Sequence, residues 1–124
     1  FAIAKWLQEQ PRVQYVLYPG LENHPGYEIN KAQTTGFGGM ISFAVDSAET
    51  ARQILEGVKL IKFAESLGGT ESLITYPIRQ THTDLTAEEC AEKGITDCLL
   101  RFSTGIEATQ DLIDDLAQAF STVE

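Results

Sequence analysis

Basic residues are scarce in this chain. Its 124 residues hold nine lysines and arginines against 18 aspartates and glutamates, for a formal net charge of −9. That balance disfavours nucleic acid and anionic membranes as partners, because both need a basic face. No apolar run approaches the ~20 residues of a membrane span, and the N-terminus lacks the basic-then-apolar order of a signal peptide. Cysteine is nearly absent, with Cys90 and Cys98 the only two. Two thiols without a signal point to a reducing cytoplasm and to packing roles, and they leave no disulfide framework. His24 and His82 are far apart in sequence with no ligand spacing around them, which argues against a metal site. Repeats, low-complexity stretches and linkers are also missing.

What remains is one domain's worth of chain, residues 1–124, with 43% hydrophobic and 22% charged residues. A domain of that length buries roughly two-thirds of its unfolded surface, enough for a core. The pattern alternates between helix and strand. FAIAKWLQEQPR has helical spacing, with Phe1, Ala4 and Leu7 on one face and Pro11 as the stop. The stretch starts without an initiator Met or a capping residue, so it reads as a piece of a longer protein. VQYVLY (13–18) is a strand closed by Pro19-Gly20, and residues 24–35 are expected to be helical from Pro25 onward. In MISFAV (40–45), Ile41, Phe43 and Val45 alternate with Met40, Ser42 and Ala44 at strand period.

Asp46 with Glu49 looks like a capping box for a helix whose stripe is Ala48, Ala51, Ile54, Leu55 and Val58. LIKFA (60–64) and ESLITY (71–76) read as short strands, Thr86 and Glu89 begin a short helix ended by Gly94, and CLLRFS (98–103) is a strand. A closing helix puts Leu112, Ile113, Leu116, Ala119 and Phe120 on one face and Asp111, Asp114 and Asp115 on the other. Five strands with intervening helices predict an α/β two-layer sandwich, its sheet mainly antiparallel and its helices on one face.

Few residues invite chemistry. Arg101 lies between Leu100 and Phe102 and points to the opposite face with Leu99 and Ser103. A guanidinium on a covered face needs an anion, and its planar fork suits a carboxylate. The anion could be a ligand's, or it could belong to one of the chain's own acids in a structural ion pair. AESLGGTESL (64–73) interrupts apolar runs with Glu-Ser pairs around two glycines. Backbone beside Gly68-Gly69 could pass close to a ligand with Ser66 at hand, or the stretch could be an ordinary turn between strands. Glu65 could be solvated or could meet a cationic group. Thr81-His82-Thr83 lacks a nucleophile in recognisable context. GFGGM (36–40) has a phosphate loop's glycines without its spacing or following helix.

Taken together, YPGLENHPGYEINKAQTTGFGGMISF (18–43), LIKFAESLGGTESLITYP (60–77), QTHTDL (80–85) and LLRFSTGIEATQDLIDDLAQAF (99–120) resemble the C-terminal domain of the pyridoxal-phosphate (PLP) enzymes of cysteine and methionine metabolism. That family includes cystathionine γ-synthase, cystathionine γ-lyase, cystathionine β-lyase and methionine γ-lyase. The resemblance implies the small α/β domain of a fold-type-I enzyme. Its partner would be its own large domain, which holds PLP, the Schiff-base lysine and the phosphate site, and the parent would be a cytoplasmic homotetramer.

The resemblance further implies that Arg101 binds the carboxylate of a small amino-acid substrate and that Ser66 stands beside it. Glu65 would meet the distal ammonium of cystathionine, and Thr81 would lie near the active site. No catalytic residue falls within the chain, so this segment alone is expected to be inactive. An acid at position 65 resembles the γ-synthase and γ-lyase pattern, and γ-replacement or γ-elimination on homoserine esters or cystathionine is the leading expectation. TYPIRQTHTDL (75–85) departs from the HPAxMTH of many members, which keeps a cystathionine β-lyase assignment open. A stand-alone amino-acid-binding domain and a pure interaction module are the rivals from other classes.

Overall fold

The computed structural model describes residues 1–123. Ten elements follow one another: α1 (Ala2–Gln8), β1 (Val13–Leu17), α2 (Tyr27–Gln33), β2 (Met40–Val45), α3 (Ala48–Gly57), β3 (Lys62–Phe63), β4 (Leu73–Thr75), α4 (Ala87–Glu92), β5 (Leu99–Ser103) and α5 (Thr109–Ser121). The strands form one sheet in the order β1-β2-β5-β4-β3, antiparallel except for the β3–β4 pair. The expected α/β sandwich is therefore found, with a mixed sheet in which antiparallel pairing dominates.

One face of the sheet carries Val16, Ile41, Phe43, Val45, Ile74, Leu100 and Phe102, and it packs against Ile3, Ala4 and Leu7 of α1, Ala51, Ile54 and Leu55 of α3, and Leu112, Leu116 and Ala119 of α5. Strand period supplies the first set and helical period the second, so two simple rhythms meet in one core. Phe1 departs from expectation. It is the N-cap of α1 and 58% exposed, while Ile3 takes the buried place on that helix. The helix predicted from Pro25 begins only at Tyr27 and buries nothing.

Several local expectations meet competing chemistry. Ser47, not Asp46, caps α3, accepting from the Thr50 amide at 3.0 Å. Asp46 is instead bonded by the Thr50 hydroxyl at 2.6 Å, and Glu49 pairs with Arg52. At α4, Thr86 and Glu89 do form a capping box, and Gly94 follows at φ +69. The larger correction is Asp115. Placed by periodicity on the wet side of α5, it is 7% exposed, and its carboxylate accepts from the amides of Lys59, Leu60 and Ile61 at 2.8–3.2 Å. Those three amides precede β3 at the sheet edge, where no neighbouring strand would satisfy them.

The stretch between β3 and β4 is not a hairpin. Because the two strands run parallel, residues 64–72 must carry the chain back along the sheet. Parallel pairing ordinarily demands a longer crossover. Nine residues suffice here because β3 is two residues long and β4 three.

Candidate functional site

β5 lies mid-sheet between β2 and β4, and its register aligns Ser42, Arg101 and Thr75 side by side. Side chains alternate along a strand, so with Leu100 and Phe102 in the core this row faces away from the helices. Arg101 is half-buried. Its Nη2 donates to Thr75 Oγ1 at 3.3 Å and to the Glu65 carbonyl at 3.4 Å, both beyond good hydrogen-bond length. Its Nε is buried without a partner. Among the described residues, every ion pair involves Arg12 or Arg52 and none involves Arg101. The internal ion pair that composition allowed is not found there. What stands in the row is a fork with weak neutral partners and one orphan donor, which costs about 1–3 kcal/mol while unpaired.

The glycine loop lies over the same face. Thr75 Oγ1 donates to the Ala64 carbonyl at 2.7 Å while accepting from Arg101, which ties the start of the loop to the arginine row. Further on, the Gly68 amide donates to Ser103 Oγ at 2.8 Å, with Gly68 at φ +73, where an L side chain would be strained. This amide therefore serves the loop's own anchorage. Between these two points Glu65 and Ser66 are exposed, and neither side chain has a hydrogen-bond partner among the described residues. Thr81 is not brought into the row by any contact. Its hydroxyl is engaged locally with His82 Nδ1 at 2.7 Å and at 3.4 Å from the Pro77 carbonyl.

Sequence reasoning set Ser103 on the Arg101 face without giving it a role, and it missed three further residues that build the site: Thr75, Ser72 and Glu107. Ser72 is fully buried, and both its amide and its hydroxyl donate to the Glu107 carboxylate, at 2.7 and 2.8 Å. The Gly105 amide returns to Ser72 Oγ at 2.8 Å. The amide bond from Ser72 is the main reason that the Glu107 carboxyl is held below the usual carboxylate range. The repeated Glu-Ser of AESLGGTESL gave no usable signal, since serine is common in solvated turns.

The comparisons with known proteins bear on the family and the fold. The sequence model of the Cys/Met metabolism PLP-dependent enzymes matches residues 1–121. The chain belongs to that family. It is 49% identical over 121 residues to cystathionine gamma-lyase of Bacillus subtilis, covering 98% of this chain and 32% of that protein. Cystathionine beta-lyase MetC of the same organism is 43% identical over 98% of this chain and 31% of its own length. Among solved structures, the fold superposes with a TM-score of 0.92 on cystathionine gamma synthase from Xanthomonas oryzae in complex with aminoacrylate and cysteine, at 45% identity over 97% of this chain and 31% of that one.

The chain thus spans about a third of the length of relatives from the PLP family. The arginine row suits a carboxylate. No lysine of the described residues hydrogen-bonds within that row: Lys62 turns back to the Lys59 carbonyl at 3.0 Å, while Lys5 and Lys31 lie over the rings of Phe1 and Tyr27. The amine that would carry PLP is not offered at this site.

Proposed function

We propose that this chain is the substrate-binding C-terminal domain of a PLP-dependent transsulfuration enzyme, working by γ-replacement or γ-elimination on homoserine esters or cystathionine. The carrying observation is Arg101, whose guanidinium lies half-buried on the open sheet face with an unpaired Nε and no ion pair among the described residues. An amino-acid carboxylate would accept two parallel hydrogen bonds from such a fork. Thr75, buried and in register with Arg101, restrains the side chain without neutralising it.

PLP supplies an electron sink for the pair left at the substrate's Cα, and in this proposal residues outside the chain hold it. The domain's task is orientation. With its carboxylate gripped, the amino acid cannot rotate freely about its Cα–N bond, so the bond presented for cleavage is selected. Ser66, exposed beside the row, would add a hydroxyl at the carboxylate, and Glu65 an anion for a distal ammonium. Thr81 keeps only an adjacent place, since its hydroxyl is already engaged. The cytoplasmic, homotetrameric parent with its own large cofactor domain belongs to the same proposal.

In the full-length enzyme, Arg101→Lys is expected to raise KM for L-cystathionine by about tenfold or more, because a point charge cannot reproduce a bidentate fork. An unchanged KM would reject the assignment. A second reading, cystathionine β-lyase, is kept by the 43% identity to the beta-lyase MetC. Products separate the two: homocysteine with pyruvate from L-cystathionine supports the β-lyase, and cysteine with 2-oxobutyrate supports the γ-lyase reaction.

A further inference from the structure

The turn that leaves β5 and the far end of the glycine loop are joined by an unusually complete set of bonds. Glu107 uses both carboxylate oxygens on one residue, Ser72, whose amide and hydroxyl donate at 2.7 and 2.8 Å. Ser72 Oγ in turn accepts from the Gly105 amide at 2.8 Å, and the Ile106 amide donates to the Thr70 carbonyl at 2.9 Å. Gly105 has no room for a side chain, because a Cβ there would run into the Thr70 carbonyl and the Glu107 carboxylate. Residues 105–107 and 70–72 are therefore in backbone contact, with a charge-assisted bond at the centre.

The position of this tie matters more than its strength. β5 carries Arg101 and ends two residues later at Ser103, where it gives way to the turn that holds Ser72. The loop is thus referenced to its arginine at three points: Ala64 through Thr75, Gly68 through Ser103, and Ser72 through Glu107. The side chains of Glu65 and Ser66 hang free between the first two points and have no hydrogen bond of their own. Where they stand depends on the anchors and on the long 3.4 Å bond from Arg101 Nη2 to the Glu65 carbonyl.

We propose that Glu107 is a positioning residue for substrate binding: by holding Ser72 it sets the height of residues 65–68 over Arg101, and so the width of the carboxylate site. The proposal rests on the reading of Arg101 as the carboxylate grip. Glu107 itself touches no substrate. Its carboxylate faces inward onto Ser72, and its effect travels through the loop. A purely structural tie would lower the unfolding temperature and leave the binding constant of the folded enzyme alone. A positioning tie moves the constant, because a displacement of about 1 Å at a reacting or gripping group can cost up to about a hundredfold.

The test uses full-length PLP-loaded enzyme with L-cystathionine as the probe. Glu107→Ala and Ser72→Ala are expected to raise KM about tenfold with kcat within about threefold, the pattern of lost ground-state and transition-state binding together. Glu107→Gln keeps an acceptor for the Ser72 amide and is expected to recover most of that loss. If Glu107→Ala does not fold, Ser72→Ala, which keeps the Ser72 amide on Glu107 and loses only the two bonds made by Oγ, decides. Unchanged KM in the folded variants overturns the proposal, as does failure of both variants to fold, which would make the tie purely structural. Arg101→Lys separates the two levels. If it leaves KM unchanged, the carboxylate reading falls and the proposal with it. If it raises KM while the Glu107 and Ser72 variants do not, only the positioning role falls.

Discussion

Both faces of the sheet come from the same strands, at alternate residues, yet they are built to different rules. On the helix side, Phe43, Leu100 and Phe102 are fully buried in a continuous apolar layer. On the other side, Ser42, Arg101, Thr75 and Ser103 form a polar strip flanked by Tyr15 and Leu17, which are 41% and 44% exposed. The first face is closed by its own helices. The second buries Ala44, Leu73 and Leu99 beside the polar strip and is partly roofed by a loop held through side-chain and backbone hydrogen bonds. Apolar burial scales with area and needs no directional partner, so it makes the stable half of the domain. Directional bonds hold a shape at low net gain, and they suit the half that, in the proposed reading, meets the substrate.

Neighbouring positions can break that comparison most directly. Phe102→Ala is expected to destabilise the domain by about 3–5 kcal/mol, since it opens a cavity in the closed face. Arg101→Met, one residue away, is expected to leave stability unchanged or slightly raised, because it removes a half-buried charge that has no acid partner. Denaturant unfolding measures both, and equal losses would erase the distinction between the faces.

Asp115 sharpens it from the side of the anchors. Asp115→Ala orphans the amides of Lys59, Leu60 and Ile61, and a loss of about 3 kcal/mol is expected in the same assay. A loss below about 0.5 kcal/mol would mean that those amides find water.

The smallest effect concerns Glu107 and pH. Its carboxyl pKa is depressed in the folded protein by the Ser72 amide, so its stabilising share is fully present above the unfolded carboxylate pKa of about 4.3. That share is lost as pH falls through the lower folded value. The stability gap between wild type and Glu107→Gln is therefore expected to hold from pH 7 down to about 4.5 and to shrink below it. A gap that widens in acid would reverse the assigned sign.

Much of the closed face was legible. The alternation of Ile41, Phe43 and Val45, the stripe of Ala51, Ile54 and Leu55, and the capping box at Thr86 are local rhythms that tertiary contacts had no reason to override. The face on which Arg101 lies followed from its two apolar neighbours. The site's construction was not legible. Thr75 matters because strand register sets it beside Arg101, and Ser103 because it holds the Gly68 amide, and both links join positions far apart in sequence. Glu107 and Ser72 are 35 residues apart, with nothing in either neighbourhood to announce the bond. Asp115 misled for a related reason: helical period says which way a side chain points and not whether a strand edge waits there.

Composition and period by themselves determined that this chain folds as a helix-backed sheet, and the joint presence of ESLGGTESL and LRFSTGIE determined its family. Tertiary structure alone decided that Arg101 is left without an acid among the described residues, and that a carboxylate six positions later holds the loop above it. The physical reason is range. Propensity and apolar period act over one or two turns of chain, whereas pairing of charges and hydrogen-bond donors is settled by which distant segments the sheet brings together.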